Sequence, residues 1–353
     1  MGIKNLHQLL RKHCPDVYVE QPLEAYRYKK LAIDASLYMF KYKTSAGDRW
    51  LSCFVSLLAA LRRHEIHPVF CFDNGAPPEK QQERANRQES REKIRAKTQE
   101  LEQALREFDN DQTIAPCLME LMEKSRASVE KKLLLRSNVS AIFDRKIAER
   151  EIKKLQNQSI HIYPEDFALL RELCTIMNVP IVEAPGEAEK KCVELCTGDS
   201  VYGVVTEDTD VLAYGTTVFI SNIKYHESKC TEIALIDILE GLDLTYEAFR
   251  DLCIMCGTDY NKNIPKIGPE KAYQLIKQHG SIDMIGANTA HNIDILNHER
   301  SRELLTAIPD QTPIPFCKVP DFQNLDIFLF KNNSKVSIDG LKKSFTQHEL
   351  SFD

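Results

Sequence analysis

The chain has 353 residues, of which 43% are hydrophobic and 28% are charged, a composition typical of a soluble globular protein of about two domains. Because the formal net charge is −6, binding to nucleic acid would depend on local basic patches. No apolar run reaches the ~20 residues of a membrane span, and the N-terminus lacks the apolar stretch of a secretory signal, so the sequence predicts an intracellular protein.

Short apolar strands alternate with amphipathic helices along much of the chain, after a first short helix within residues 1–20. The predicted strands are Lys30–Asp34, Pro68–Asp73, Ile160–Tyr163, Pro180–Glu183, Val201–Thr206 and Thr217–Ser221. The predicted helices among them are Ala35–Tyr42, Leu51–His64, Phe167–Met177 and Glu187–Cys196. This alternation predicts an α/β fold with a mostly parallel central sheet.

Two other segments have a different character. Residues 79–158 are charged, poor in glycine and helical in pattern, with a break at Asp109–Pro116. They fit either a solvated helical insert or a helical cap that presents Lys and Arg to phosphates. The chain is predicted to be helical from Leu235 and irregular after about residue 310, where four prolines lie close together.

Cysteines are numerous, and most of the eleven lie inside apolar segments, which is typical of buried, reduced thiols. Cys253 and Cys256 have CxxC spacing, but a structural zinc site needs four ligands and no second pair follows. Zinc is therefore not expected.

Seven acidic residues stand where predicted strands end or predicted helices begin. They are Asp34, Asp73, Glu187, Glu189, Asp208, Asp210 and Asp259. The carboxyl ends of parallel strands meet at the ligand-binding edge of an open sheet, and carboxylates gathered there repel one another unless cations hold them. Oxygen ligands suit Mg²⁺, and two such ions hydrolyse phosphodiesters. The pattern therefore predicts a two-metal nuclease with two Mg²⁺ or Mn²⁺ ions.

Each acid also has an ordinary structural explanation. Asp34 could cap a helix, and Asp73 could belong to a turn. Glu187 and Glu189 could favour the first turn of a helix through its dipole, and residues two apart do not share a helix face. Both would reach one metal pair only if the metals lay ahead of the helix end. The three acids in residues 206–210 favour metal binding.

The segment from Ile264 to Ala272 is predicted to form a helix, a tight glycine turn and a second helix. Such a turn presents backbone N–H groups and a helix N-terminus to a phosphate of duplex DNA. The alternative is a simple connection between helices with a glycine cap.

Together these motifs resemble the flap endonuclease family, the structure-specific 5′-nucleases of replication and repair. The resemblance rests on MGIKNL, IDAS, FD before a proline pair, APGEAE, TEDTD, GTDY and IPKIGPEKA, in matching order over residues 1–78 and about 160–285. It implies a PIN-like nuclease core with a helical arch insertion and a C-terminal helix–turn–helix (H2TH-like) region. The implied organisation is a nuclease region over 1–108 and 160–234, a cap insert over 109–159, a DNA-binding region over 235–310 and a C-terminal extension over 311–353.

The resemblance also implies roles for single residues. The seven acids would hold the two metals, directly or through water. Lys80 and Arg87 would contact the scissile phosphate, and their seven-residue spacing would place them on one helix face. After removal of Met1, the amine of Gly2 would lie near the site. Phe40 would stack on a base unless it is a core residue. The duplex backbone, often with a K⁺ ion, would be held by the helix–turn–helix residues Asn263, Ile264, Lys266, Ile267, Gly268 and Lys271.

Three departures from the family pattern qualify this resemblance. The interval between Asp73 and Glu187 is longer than the family norm, which implies an enlarged arch. Glu270 stands where relatives often carry a basic residue, which would weaken one phosphate contact. Gln347–Leu350 begins like a sliding-clamp peptide but lacks the paired aromatics, so a clamp partner is not expected. A monomeric, compact viral member would fit, acting in the nucleus or at a cytoplasmic replication site.

The sequence therefore predicts a metal-dependent 5′-nuclease for branched DNA, with 5′-flaps as substrate and 5′→3′ exonuclease activity, acting in replication, repair or recombination. Two alternatives use the same scaffold: a 5′→3′ exonuclease and a junction resolvase. A third is a DNA-binding scaffold that does not cleave, which would predict lost carboxylates.

Overall fold

A central seven-stranded sheet organises the computed structural model, which describes residues 2–75, 77–130 and 143–346. Its strands are β1 Val19–Pro22, β2 Lys30–Asp34, β3 His67–Phe72, β4 Ile181–Glu183, β5 Gly203–Val205, β6 Val218–Lys224 and β7 Lys229–Ala234. Their order is β1-β7-β6-β5-β2-β3-β4. The strands from β6 to β4 are parallel, and β7 runs antiparallel to both neighbours. The predicted α/β fold with a mostly parallel sheet is confirmed.

Helices connect the strands and continue beyond the sheet. Before β4 they are α1 Leu6–His13, α2 Ala35–Ala46, α3 Trp50–Arg63, α4 Gln81–Asp111, α5 Pro116–Glu130, α6 Arg145–Gln158 and α7 Pro164–Ile176. After β4 they are α8 Ala188–Thr197, α9 Asp210–Ala213, α10 Leu235–Leu242, α11 Tyr246–Cys256, α12 Pro269–His279, α13 Ile282–Asn288, α14 His298–Leu304, α15 Phe322–Lys331 and α16 Ile338–Thr346. Within the described residues no helix is both long and apolar enough to cross a membrane.

The middle of the sheet is buried on both faces, which explains why β2 and β3 read as continuous apolar runs. Leu31, Ile33 and Phe70 have no exposed surface. Parallel strands of this kind need helices on both sides to cover them. The chain order reverses between β2 and β5. Open α/β sheets bind ligands at the carboxyl ends of the strands beside such a reversal.

The structure corrects two predictions. Ile160–Tyr163 is not a strand, because it has no neighbouring strand and Pro164 begins α7 directly after it. Residues after 310 are not irregular throughout, because the prolines end at Pro320 and the Asp321 side chain then caps α15. The Gln347–Leu350 segment lies outside the described residues.

Contacts divide the chain into two compact units. The sheet unit comprises Met1–Tyr42, Asp48–Gln81 and Tyr163–Asp353, and the helical unit comprises Lys43–Gly47 and Gln82–Ile162. The helical unit has its own small core, in which Leu101, Leu118 and Ile152 are buried. All eleven cysteines are free thiols and most are buried, as predicted.

Candidate metal centre

Asp34 and Asp73 are fixed at the carboxyl ends of adjacent strands. Asp34 ends β2, and its Oδ1 accepts hydrogen bonds from the N–H groups of Ser36 and Leu37 at 2.9 and 3.1 Å. Asp73 follows β3, and its Oδ1 accepts a hydrogen bond from the Ala188 N–H at 2.6 Å. The Ser36 hydroxyl donates to its other oxygen. The two carboxylates are thus tied to the starts of two helices, α2 and α8.

Glu187 and Glu189 reach the same cation although they are only two residues apart. Glu187 is the N-cap of α8 with extended backbone (φ −85°, ψ 134°), whereas Glu189 lies in the first helical turn. The Lys80 Nζ lies 2.6 Å from Glu187 Oε1 and 2.9 Å from Glu189 Oε1. The conflict expected from helix geometry does not arise, because one of the two residues precedes the helix.

Glu189, Asp208 and Asp210 form the tightest acidic cluster. One carboxylate oxygen of each lies within 4.8 Å of the others. Asp210 is 1% exposed, and its Oδ1 has no hydrogen-bond partner in the described part of the chain. An unsatisfied buried oxygen is costly, and oxygen ligands alone suit a hard divalent cation. The residues present therefore fit such an ion.

Gly2 lies directly against this cluster. Its backbone is in the left-handed region at φ +91°, and a Cβ placed on it would be 2.2 Å from Asp208 Oδ1. Only glycine permits this approach without a shift of the acid. Gly2 therefore packs against Asp208 and Thr209 of the acidic segment.

The site holds more negative than positive charge. Burial, with the nearby charge of Asp73, raises the pKa of Asp34 to about 7. Burial, with the charge of Asp208, also raises the pKa of Asp210 well above its ordinary value. Burial alone would lower the pKa of Lys80, but the charges of nearby groups, first among them Glu189, outweigh burial and raise it. One ammonium therefore faces several carboxylates, and divalent cations would balance the excess.

Asp259 lies at the margin of the cluster. Its Oδ2 is 3.9 Å from the Lys80 Nζ, and its side chain is 18% exposed. It follows α11, so the acidic set draws on the ends of β2, β3 and β5 and on the ends of α8 and α11. Lys80 is thus the cation around which Glu187, Glu189 and Asp259 meet.

Lys80, Arg87 and Glu207 differ from their predicted positions or from the other acids of the site. Lys80 ends a 3₁₀ turn before α4, so it does not share a helix face with Arg87, and that spacing argument was wrong. Arg87 lies in the helical unit and pairs with Glu83 at 3.1 Å. Glu207, the third acid of TEDTD, pairs instead with Lys41 and accepts the Asn222 N–H at 3.1 Å.

Two tyrosines at the site were not foreseen from the sequence. The Tyr260 hydroxyl donates to Glu187 Oε2 at 2.6 Å, and the Tyr214 hydroxyl lies 3.3 Å from the same oxygen. Burial raises the pKa of both hydroxyls above the ordinary value, so both keep their protons. Their positions in the sequence could have indicated them, since Tyr260 follows Asp259 directly and Tyr214 lies one helical turn after Asp210.

The first helix predicted within Ile264–Ala272 was wrong, because residues 257–268 form a loop. The helix–turn–helix consists instead of α11, this loop and α12. Asn263 braces the loop, because its Nδ2 donates to the Cys256 carbonyl at 2.6 Å. Gly268 caps α12, and a Cβ placed there would meet nothing within 4 Å, so the surface beside it is open. Lys266 and Lys271 are exposed on either side.

The surroundings of Glu270 and Phe40 complete the description of the residues named in the sequence analysis. Glu270 is not an isolated acid at the duplex surface, because it pairs with Lys12 at 2.9 Å and with His13 at 3.1 Å. Phe40 lies on α2 and is half-buried.

The chain is similar to known nucleases in both sequence and fold. The XPG N-terminal domain model matches residues 1–94, and the XPG I-region model matches residues 178–259. The chain is 37% identical over 328 residues to "Probable RAD2-like endonuclease 076L" of Invertebrate iridescent virus 3, covering 86% of this chain and 85% of that protein. It is 30% identical to Flap endonuclease 1 of Zea mays, covering 94% and 83%. Its fold is similar to the catalytic core of Rad2 in complex with DNA substrate (TM-score 0.65, 17% identity, covering 98% and 99%).

Proposed function

The chain belongs to the flap endonuclease family of XPG-type, RAD2-like nucleases, and from this premise we propose that it hydrolyses phosphodiester bonds in branched DNA with 5′-flaps as preferred substrate. The observation that carries the proposal is the cluster of Glu189, Asp208 and Asp210, whose oxygens lie within 4.8 Å of one another. Nucleases of this family depend on divalent metals, and an all-oxygen cluster suits such ions.

The proposed cofactors are two Mg²⁺ or Mn²⁺ ions. They would be held, directly or through water, by Asp34, Asp73, Glu187, Glu189, Asp208, Asp210 and Asp259. When bound, these ions supply an activated water and stabilise the leaving 3′-oxygen. The chain's own part is preorganisation: the backbone N–H groups on Asp34 and Asp73 fix the carboxylates before substrate arrives.

We propose that Lys80 neutralises charge on the phosphoryl oxygens of the scissile bond. Its ammonium lies 2.6 and 2.9 Å from the carboxylates of Glu187 and Glu189, so a phosphate approaching these acids would meet it. For Arg87 the same role rests on the family resemblance, as does base stacking by Phe40. After removal of Met1 the amine of Gly2 would add positive charge, and the close approach of Gly2 to Asp208 supports this role.

Duplex binding is proposed for the helix–turn–helix residues Asn263, Ile264, Lys266, Ile267, Gly268 and Lys271. The open surface at Gly268 and the exposed lysines beside it support contact with phosphates, and loop carbonyls would hold a K⁺ ion. Such contacts read backbone shape and carry no base sequence, so selection would be for branched structure.

The decisive experiment uses a 5′-end-labelled double-flap DNA, with Mg²⁺ or with EDTA. We expect a flap-length product only with Mg²⁺, and none from D34A/D208A. The matched control is D16A/D237A, which removes two exposed aspartates far from the described cluster in sequence. It should cleave like the parent protein.

Other outcomes decide between the alternatives on this scaffold. Release of mononucleotides or short oligonucleotides would identify a 5′→3′ exonuclease, and symmetrical nicks in a four-way junction would identify a resolvase. Binding of DNA without cleavage in Mg²⁺ or Mn²⁺ would overturn the nuclease assignment in favour of a non-cleaving scaffold.

A further inference from the structure

Two buried tyrosine hydroxyls converge on one oxygen of Glu187. Tyr214 is 2% exposed and Tyr260 is 7% exposed. The Tyr260 hydroxyl lies 2.6 Å from Glu187 Oε2, the Tyr214 hydroxyl lies 3.3 Å from the same atom, and the two hydroxyls contact each other. Both hydroxyls are therefore directed at this one oxygen.

The two oxygens of Glu187 therefore have different partners. Oε2 is taken by the tyrosine hydroxyls, whereas Oε1 is directed at the Lys80 ammonium at 2.6 Å. Lys80 also contacts Glu189, a member of the tight acidic cluster. The carboxylate plane of Glu187 is thus fixed with a single oxygen toward the acidic site.

Proton counting gives the direction of the hydrogen bonds. Each tyrosine has one O–H to donate, and an ionised carboxylate only accepts. The shorter distance assigns the Tyr260 proton to Glu187 Oε2, and the Tyr214 proton then goes to the Tyr260 oxygen. The result is a chain that runs from Tyr214 through Tyr260 to Glu187.

We propose that Tyr214 and Tyr260 are positioning residues that hold Glu187 as a ligand presenting one oxygen to the metal site. This inference rests on the proposed function, since it assigns the tyrosines to a metal-binding acid. Groups that orient a metal ligand typically change metal affinity by about 10–100-fold when they are removed. Tyr260 makes the direct bond, so its loss weakens metal binding more than the loss of Tyr214.

The test compares Y260F, Y214F and the double variant with Y26F. Tyr26 is a matched control, because it is 1% exposed and donates to another glutamate, Glu232, at 2.7 Å. Mn²⁺ binding to the DNA-free protein is measured by calorimetry, beside the thermal midpoint of each variant. We expect affinity to fall by ~10-fold in Y260F, less in Y214F and most in the double variant, while Y26F keeps the parent affinity.

Cleavage separates this inference from the proposed function. The Mg²⁺ concentration for half-maximal flap cleavage should rise in Y260F, with an unchanged Kd for DNA in Ca²⁺. If the parent cleaves but Y260F binds Mn²⁺ as Y26F does, the positioning role is overturned and the nuclease stands. If the parent does not cleave but Y260F loses Mn²⁺ affinity while Y26F keeps it, the positioning role stands without the proposed function.

Discussion

At the residue scale, the capping of a helix by an acid is compatible with the metal-ligand role proposed for the same side chain. Asp34 caps α2 through Oδ1, which accepts hydrogen bonds from the N–H groups of Ser36 and Leu37. Asp73 likewise serves the start of α8. The capping bonds orient the carboxylates, so the structural explanation of these acids supports the functional one.

The raised pKa of Asp34 makes the stability of the metal-free protein depend on pH. Its folded pKa of about 7 exceeds that of an unfolded aspartate, so between pH ~4 and ~7 the folded state binds more protons. The free energy of unfolding should therefore fall as pH rises through this window, by roughly 1–4 kcal/mol, and level off above it. Urea unfolding in EDTA at pH 5, 6, 7 and 8 measures this slope.

D34N should reduce that slope, because it removes one of the buried acids whose pKa is raised. D326N, at an exposed position on α15, should keep it. Added Mg²⁺ should reverse the trend near pH 8, since it binds the ionised acids. An equal slope in D34N and the parent would show that Asp34 does not cause the dependence.

At the element scale, the ends of the buried strands could be predicted, because strands buried on both faces are continuous apolar runs in the sequence. β2 and β3 are buried on both faces and read as apolar runs that stop at an acid. The edge strand β1 (VEQP) is mostly exposed and carries no such pattern, so it was missed. The Tyr214–Tyr260–Glu187 chain was missed for another reason, because it joins residues that meet only in the folded state.

The helix–turn–helix predicts a specific change in the salt dependence of DNA binding. Lys266 and Lys271 are exposed near the open N-terminus of α12. If each contacts one phosphate, K266A/K271A should weaken binding to duplex DNA of any sequence. The slope of log K against log salt should fall by about 0.9 for each lost contact.

K277A is the control for this variant, because Lys277 lies in the last turn of α12 and pairs with Asp243 at 2.7 Å. It should keep the parent slope. Fluorescence anisotropy of a labelled duplex at several KCl concentrations gives all three slopes, and unchanged slopes throughout would remove this loop from the DNA interface.

At the scale of the whole molecule, the proposed metal ligands all belong to the sheet unit. The helical unit has a separate core around Leu101, Leu118 and Ile152. Metal binding stabilises only the part of the protein that contains the site. Mg²⁺ should therefore raise the thermal midpoint of the sheet unit and leave that of the helical unit unchanged.

L101A and L31A test this separation, since both leucines are fully buried, one in each unit. Each substitution should destabilise its own unit by ~2–5 kcal/mol because of the cavity it leaves. In differential scanning calorimetry, L101A should lower the transition that does not respond to Mg²⁺, and L31A the one that does. A single transition lowered by both variants would show that the units unfold together.

The position of the helical unit in the chain has an evolutionary consequence. Its main segment, Gln82–Ile162, is inserted in the connection between β3 and β4, which are hydrogen-bonded neighbours in the sheet. That pairing is fixed within the sheet unit. The length of the insertion therefore affects the free energy of folding mainly through loop-closure entropy, which costs about 0.6 kcal/mol for each doubling of length. The insertion can therefore grow or shrink among descendants at little thermodynamic cost, so its size can drift while the acids stay unchanged.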